Sequence, residues 1–316
     1  MNVFPGIDAY RPSGRPVCVA LGTFDGLHRG HRAVVDAVKA AAARRGGAAV
    51  VTTFDPHPLV VIAPPREPFL LSTIEERIAL FEATGIDALV IVRFDASVRG
   101  MSAADWLGLL QARFRPAGIV ISSTHTFGRH REGTAASMQV WGASCGIEVT
   151  IVPPVTNGGV TISSTSVRDR LREGDVRAAA AWLGRWYTVR GGVVAGEGRG
   201  RQLDVPTANL SVPPEKIVPA QGVYAAYASV GGQTYRAAVN IGVRPTFGPG
   251  AFSVEAHLID ADVDVYGQIV ELAFVERLRP ERRFPSVDAL REQIAADVAE
   301  ARVLLEINRS FSPDWR

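Results

Sequence analysis

Cysteine is scarce in this chain of 316 residues: Cys18 and Cys145 are the only two. Two cysteines build no disulfide framework, and the expectation is a pair of buried free thiols in a reducing compartment. Lysine is also rare, occurring only at Lys39 and Lys216, so arginine carries nearly all the positive charge. Neither sign of charge is in excess, with a net of +2, which argues against a broad basic face for nucleic acid. No apolar run reaches membrane-spanning length, and Met1 to Gly14 lacks the apolar stretch of a signal peptide. The expectation is a cytoplasmic protein, monomeric or a weak homo-oligomer, with no nucleic-acid or membrane partner. Repeats and low-complexity tracts are absent as well. What is present is an ordinary globular composition, 47% hydrophobic, in a chain long enough for two cores.

The most informative stretch follows the apolar run Val17-Cys18-Val19-Ala20-Leu21. It reads Gly22-Thr23-Phe24-Asp25-Gly26-Leu27-His28-Arg29-Gly30-His31 and leads into a helical pattern over Ala33 to Ala43. A buried strand that turns through glycines into a helix aims backbone N–H groups and the positive end of the helix dipole at one spot, which suits phosphate. His28 and His31, three apart, can both face that anion and donate hydrogen bonds to charge developing as a phosphoryl bond breaks. Nucleotidyl transfer is the chemistry this favours. A surface pair of histidines, or a metal site with Asp25 as the third ligand, is the competing reading.

The run from Ala48 to Phe54 reads as a second buried strand entering Asp55-Pro56-His57-Pro58, a loop stiffened by proline at the carboxyl end of a strand, where open α/β sheets hold ligands. Thr73 to Glu76 reads as a capping box opening a helix to Ala83, and Ser102 as the cap of Ala103 to Phe114. Strands follow at Ala88 to Val92, Ile119 to Ile121 and Ile147 to Val152. Strands and helices alternating in this way predict a doubly wound, largely parallel sheet. Ile162-Ser163-Ser164-Thr165-Ser166-Val167-Arg168 places hydroxyls at a helix start with an arginine one turn on, read either as an ordinary cap or as a second phosphate-suited terminus. Gly174 to Leu183 reads as the last helix of this half.

Beyond Gly184 the pattern changes to short alternating β runs with glycines, at Val193-Val194, 222–229, 234–241, 252–259 and 269–274, with Gly231-Gly232 as a hairpin turn. These predict a small antiparallel barrel, followed by a helix from Val287 to Ile307 capped by Ser286. The expected domains are therefore 1–184 and 185–316. Thr207 and Asn209, two apart on an extended segment, present oxygens to one side and suit Mg²⁺; loop-capping polar residues are the alternative. Glu255 is a carboxylate in an apolar strand, read as either a satisfied glutamate or a general base.

Taken together, Gly22-x-Phe24-Asp25-Gly26-x-His28-x-Gly30-His31, Thr53 to Pro58 and Ile162 to Arg168 resemble the adenylyltransferase half of bacterial bifunctional riboflavin kinase/FAD synthetases. Pro206-Thr207-Ala208-Asn209, Gly222-Val223-Tyr224, Asn240-Ile241-Gly242, Pro245-Thr246-Phe247, Val254 to His257 and Tyr266-Gly267 are similar, in order and spacing, to the kinase half. The resemblance extends from about Val17 to about Leu305. It implies ATP bound over His28 and His31 by the loop of Gly22, Phe24, Asp25, Gly26 and Gly30, with Arg168, Ser163, Ser164 and Thr165 on its phosphates. It further implies flavin held by Phe54, Pro56, His57, Pro58, Thr124 and Phe127, and attack of the FMN phosphate on the α-phosphorus of ATP. In the second half it implies ATP and Mg²⁺ at Thr207 and Asn209, Glu255 as the base that deprotonates the riboflavin 5′-hydroxyl, and a flavin-contacting flap with Arg279 and Phe284. Two stretches depart from the family pattern. Ser122-Ser123-Thr124-His125-Thr126-Phe127-Gly128 replaces Gly-x-Asp/Asn-Phe-x-Phe-Gly, and Asp204-Val205-Pro206-Thr207 replaces Gly-Phe/Tyr-Pro-Thr. These departures keep open a paralogue with a single activity or a flavin-like substrate, and a sensor that binds without turnover.

Overall fold

The computed structural model describes residues 1–195, 205–243 and 252–307, so Asp204 and the Pro245-Thr246-Phe247 motif lie outside the described residues. The chain forms two compact units, the first of residues 1–66 and 72–164, the second of 67–71 and 165–316.

In the first unit, β1 (Asn2–Phe4), β2 (Val17–Leu21), β3 (Ala48–Asp55), β4 (Ala88–Arg93), β5 (Gly118–Ser122) and β8 (Glu148–Val152) make one six-stranded sheet in the order β1-β4-β3-β2-β5-β8. Every pairing in it is parallel. Small hairpins are formed by β6 (Thr126–Phe127) with β7 (Gly133–Thr134), and by β9 (Thr156–Asn157) with β10 (Val160–Thr161). The helices are α1 (Arg29–Ala43), α2 (Pro58–Ile62), α3 (Ile74–Glu82), α4 (Ala96–Gly100), α5 (Ala103–Phe114) and α6 (Ala135–Ser144). Apolar clusters lie on both faces of the sheet, one built on Val35, Val38 and Phe81, the other on Leu110, Phe114 and Met138. Burial on both faces is why the strands read as unbroken apolar runs. The order of strands reverses at β2, between β3 and β5, and the carboxyl ends of strands at such a switch are where this architecture opens to ligands.

The second unit begins with α7 (Ser164–Glu173) beyond its first residue and α8 (Val176–Leu183). A closed barrel follows, β11-β12-β15-β14-β13-β16, from β11 (Tyr187–Val194), β12 (Ala208–Ser211), β13 (Gly222–Val230), β14 (Gln233–Val243), β15 (Phe252–Leu258) and β16 (Ile269–Arg279). Ala301 and Leu305 of α9 (Val287–Ile307) pack with Ala225, Ala273 and Val275.

Four sequence expectations are corrected. The sheet has a sixth strand, β1, too short to carry a pattern. Helix α1 begins at Arg29, not Ala33, because His28 itself caps it. The predicted helix from Gly174 to Leu183 starts two residues later: Gly174 at φ 80° ends α7, and the Asp175 carboxylate accepts from the Ala178 N–H to cap α8. Cys145 is exposed at the end of α6, whereas Cys18 is buried as expected. The capping boxes at Thr73/Glu76, the Ser102 cap, the Gly231-Gly232 turn and the Ser286 cap are all present.

Candidate functional site

Between β2 and α1 the chain makes a tight, buried loop. Phe24 and Leu27 both adopt left-handed backbone at φ 51° and 39°, a cost of order 1 kcal/mol each that the surrounding packing must hold. Asp25 is fully buried, and its Oδ1 accepts from the Ser72 N–H at 2.9 Å and the Ser72 hydroxyl at 3.2 Å, while the Gly26 N–H donates to Ser72 Oγ at 2.9 Å. Asp25 thus braces the loop from within. Beneath it, Arg77, 1% exposed, donates to Thr53 Oγ1, the Phe54 carbonyl and the Ser72 carbonyl, and Thr53 Oγ1 donates to the Thr23 carbonyl. Burial pulls Arg77 below the ordinary guanidinium range, with Asp25, Asp55 and Glu76 opposing the shift.

This bracing sets the histidines. His28 Nδ1 accepts from the His31 N–H at 3.2 Å, so in the neutral ring the proton resides on Nε2. The His28 and His31 rings stack with centroids 3.6 Å apart and planes 18° off parallel, and Phe24 meets His31 edge-on at 5.2 Å. Gly30 leaves room for this stack: a Cβ there would stand 3.1 Å from the His28 ring, close enough to push it by a few tenths of an ångström. The hydroxyl run reaches the same loop, with Ser164 Oγ, at the start of α7, donating to the Asp25 carbonyl at 2.9 Å. The opening motif and Ile162 to Ser164, far apart in sequence, are therefore assembled together. Ser163 is half-buried and Thr165 exposed. Arg168, within the second unit, is buried and donates through Nε to the Phe69 carbonyl at 2.6 Å. Among the described residues no group of three His, Cys, Asp or Glu side chains is arranged to hold a metal ion.

The loops predicted to hold flavin follow β3 and β5. Phe54 packs against Phe94 and Trp106 at the end of β3. His57 is buried and caps α2, its Nδ1 accepting from the Leu59 N–H, with Pro58 at the first helical position and Pro56 exposed before it. After β5, Thr124 is exposed with its hydroxyl 3.3 Å from that of Ser122, and Phe127 is buried. His125 stands where the family pattern has phenylalanine. Its ring lies parallel to Phe127 at 5.9 Å with Nε2 enclosed, and burial pushes its pKa from 6.5 down to about 4. A neutral imidazole thus stands in place of a phenyl ring.

On the barrel, Asn209 pairs directly with Glu255 across β12 and β15, and Glu255 pairs with Asn240 across β15 and β14. Side chains directly opposite on adjacent strands share a face. By alternation this face is opposite to that of Val254, Ala256, Val239 and Ile241; Asn209 on it is nonetheless buried, and Glu255 and Asn240 are half-buried. Thr207, two before Asn209, is half-buried just ahead of β12, and His257 Nδ1 lies 2.9 Å from the Pro206 carbonyl. Arg279, the last residue of β16, is held by Asp297 of α9 through Nε at 2.9 Å and a terminal nitrogen at 2.7 Å, and its guanidinium lies 5.5 Å from the Phe284 ring. From sequence, Asn240 stands out only within the Asn240-Ile241-Gly242 motif, with no role, and Ser72 and Arg77 do not stand out. Asn240 was legible as a polar residue alternating with core positions, whereas the other two act through contacts remote in sequence.

A family model described as FAD synthetase matches residues 11–166, and one described as riboflavin kinase matches 183–305. Curated relatives named bifunctional riboflavin kinase/FMN adenylyltransferase include that of Escherichia coli (strain K12), 32% identical over 96% of this chain and 97% of the relative. Those of Bacillus subtilis (strain 168) and Pseudomonas fluorescens are 35% and 33% identical, over 90% and 96% of this chain and 90% and 98% of theirs. A crystal structure described as a macrolide-efflux protein from Streptococcus pneumoniae is 30% identical with a TM-score of 0.87, covering 96% of this chain and 99% of that one. Among the described residues no helix is long and apolar enough to cross a membrane.

Proposed function

Because the chain belongs to the bifunctional riboflavin kinase/FMN adenylyltransferase family, making FMN from riboflavin and FAD from FMN with ATP as co-substrate, we propose specific residues for each step. Adenylyl transfer is assigned to the loop between β2 and α1. An FMN phosphate oxygen attacks the α-phosphorus of ATP, the bond to the β-phosphate oxygen breaks, and pyrophosphate leaves. His28, through Nε2–H, and His31 donate to the oxygens on which charge gathers, and the N-terminus of α1 adds its dipole. Ser163, Ser164, Thr165 and Arg168 bind the polyphosphate, and Phe54, Pro56, His57, Pro58, Thr124 and Phe127 bind the flavin. The observation that carries this reading is the stacked His28/His31 pair at the switch point of the sheet.

Riboflavin phosphorylation is assigned to the row shared by β12, β15 and β14. Glu255 accepts the proton of the riboflavin 5′-hydroxyl as that oxygen attacks the γ-phosphorus of ATP, and ADP leaves. Thr207 and Asn209 supply neutral oxygens that fit Mg²⁺, a hard cation that needs few protein ligands when phosphates provide the rest, and whose charge offsets that of the phosphates. Arg279 and Phe284 contact the flavin.

The proposal keeps the domain limits at 1–184 and 185–316, a cytoplasmic location, and a monomer or weak homo-oligomer without nucleic-acid or membrane partners. Support for the limits comes from two family matches, one ending at residue 166 and the other beginning at residue 183. The test is mass spectrometry of products from riboflavin, ATP and Mg²⁺ with the purified protein. FMN, FAD, ADP and pyrophosphate are expected. FMN alone would restrict the chain to one activity, and bound flavin without any product would indicate a sensor.

A further inference from the structure

Lys216 lies in the stretch matched by the riboflavin kinase model, yet its side chain serves a segment from the other half of the sequence. Residues 67–71 belong to the second compact unit. The N–H groups of Phe69 and Leu70 donate to the Glu215 carbonyl at 3.0 and 2.8 Å, and the Ile217 N–H donates to the Leu70 carbonyl at 3.0 Å. Leu70 and Lys216 thereby form a parallel bridge. Lys216 is 2% exposed; its Nζ donates to the Leu71 carbonyl at 2.7 Å and sits 4.7 Å from the centre of the Tyr187 ring. An ammonium is costly to bury, so its placement against a carbonyl and an aromatic face fixes that backbone firmly.

Phe69, in this fixed strap, orients Arg168 twice over. Its carbonyl accepts from Arg168 Nε at 2.6 Å, and its ring lies 5.4 Å from the guanidinium carbon. A guanidinium is a rigid planar fork, so holding Nε and one face determines where its terminal nitrogens point. We propose that Lys216, through the Phe69–Leu71 strap, is a positioning residue for adenylyl transfer that sets the orientation of Arg168. The inference rests on the reading above that Arg168 acts on the polyphosphate of ATP. It means that a lysine within the kinase half of the sequence governs the rate of the other reaction.

Both half-reactions of the full-length protein are assayed in Lys216→Met, Lys216→Arg and Phe69→Leu, with Arg168→Ala as reference. Lys216→Met is expected to slow FMN adenylylation on the order of 10- to 100-fold, as a misplaced charged group does. The loss should fall in kcat, with KM for FMN and the phosphorylation of riboflavin unchanged. Lys216→Arg should restore most of the rate, and Phe69→Leu, which keeps the carbonyl and removes the ring, should give an intermediate loss. If Arg168→Ala leaves FAD formation unchanged, the role of Arg168 fails and the inference with it. If Arg168→Ala is slow but Lys216→Met is normal, or Lys216→Met lowers both half-reactions in proportion, the positioning role is overturned while that of Arg168 stands.

Discussion

Asn209 on β12 stands directly opposite Glu255 on β15 in a closed barrel. That register places a neutral oxygen donor beside a carboxylate across one ladder step, with Asn240 on the far side of the same carboxylate. Glu255→Gln keeps the shape and the hydrogen bonding of the row and removes the base. Riboflavin phosphorylation should fall by roughly 10²- to 10⁴-fold, the usual contribution of a positioned proton acceptor. Conversion of added FMN to FAD should continue at the parental rate, read by chromatography of the two flavins.

His28 has two separable duties, since it caps α1 through Nδ1 and offers Nε2 to a ligand. His28→Ala should lose both, slowing FAD formation by roughly 10²- to 10³-fold and destabilising the protein by about 1 kcal/mol. His28→Asn retains a good cap, so its denaturation midpoint should match the parent while FAD formation stays slow. Equal recovery of rate and stability in His28→Asn would show that capping alone matters.

The His125 ring titrates at about 4 in the folded protein against 6.5 for the free side chain. Between those values the unfolded chain holds the proton more readily. The stability this group contributes is complete above pH 6.5 and is lost as pH falls toward 4. His125→Phe removes that dependence. In urea denaturation at pH 7 and pH 5, the variant should lose less stability on acidification than the parent; identical losses would mean that the ring is protonated in place.

Arg279 and Asp297 form a largely enclosed ion pair, with side chains 17% and 5% exposed, whereas Arg15 and Asp87 pair at 50% and 42%. Asp297→Ala leaves a guanidinium without its carboxylate and should cost about 3 kcal/mol. Arg15→Ala should cost less than about 1 kcal/mol. Chemical denaturation of the two variants side by side checks the contrast.

Legibility from sequence followed the range of the interactions. β2, β3 and β5 announced themselves because burial on two faces demands continuous apolar residues, and Thr73, Ser102 and Ser286 because a cap is decided within four residues. The His28 loop was legible as a phosphate-suited turn, but its bracing was not. Asp25 reads as a ligand until Ser72, 47 residues on, is seen to occupy its Oδ1. Arg168 was legible as a phosphate-suited cation, but its anchoring on the Phe69 carbonyl, 99 residues away, was not. β1 was missed because three residues carry no period, and Cys145 was misplaced because an apolar neighbourhood in sequence says nothing about which side of α6 meets water.

Closure of the barrel has a consequence for strand addition. Among the described residues its six strands are all paired on both sides, so that sheet presents no margin on which another chain can add a strand. The parallel sheet does have margins, β1 and β8. The former is three residues long, and the latter opens on Glu148, ion-paired to Arg44 and Arg45. A three-residue rim, and one whose first residue is a paired carboxylate, are poorer templates for intermolecular strand growth than long, uncharged edges.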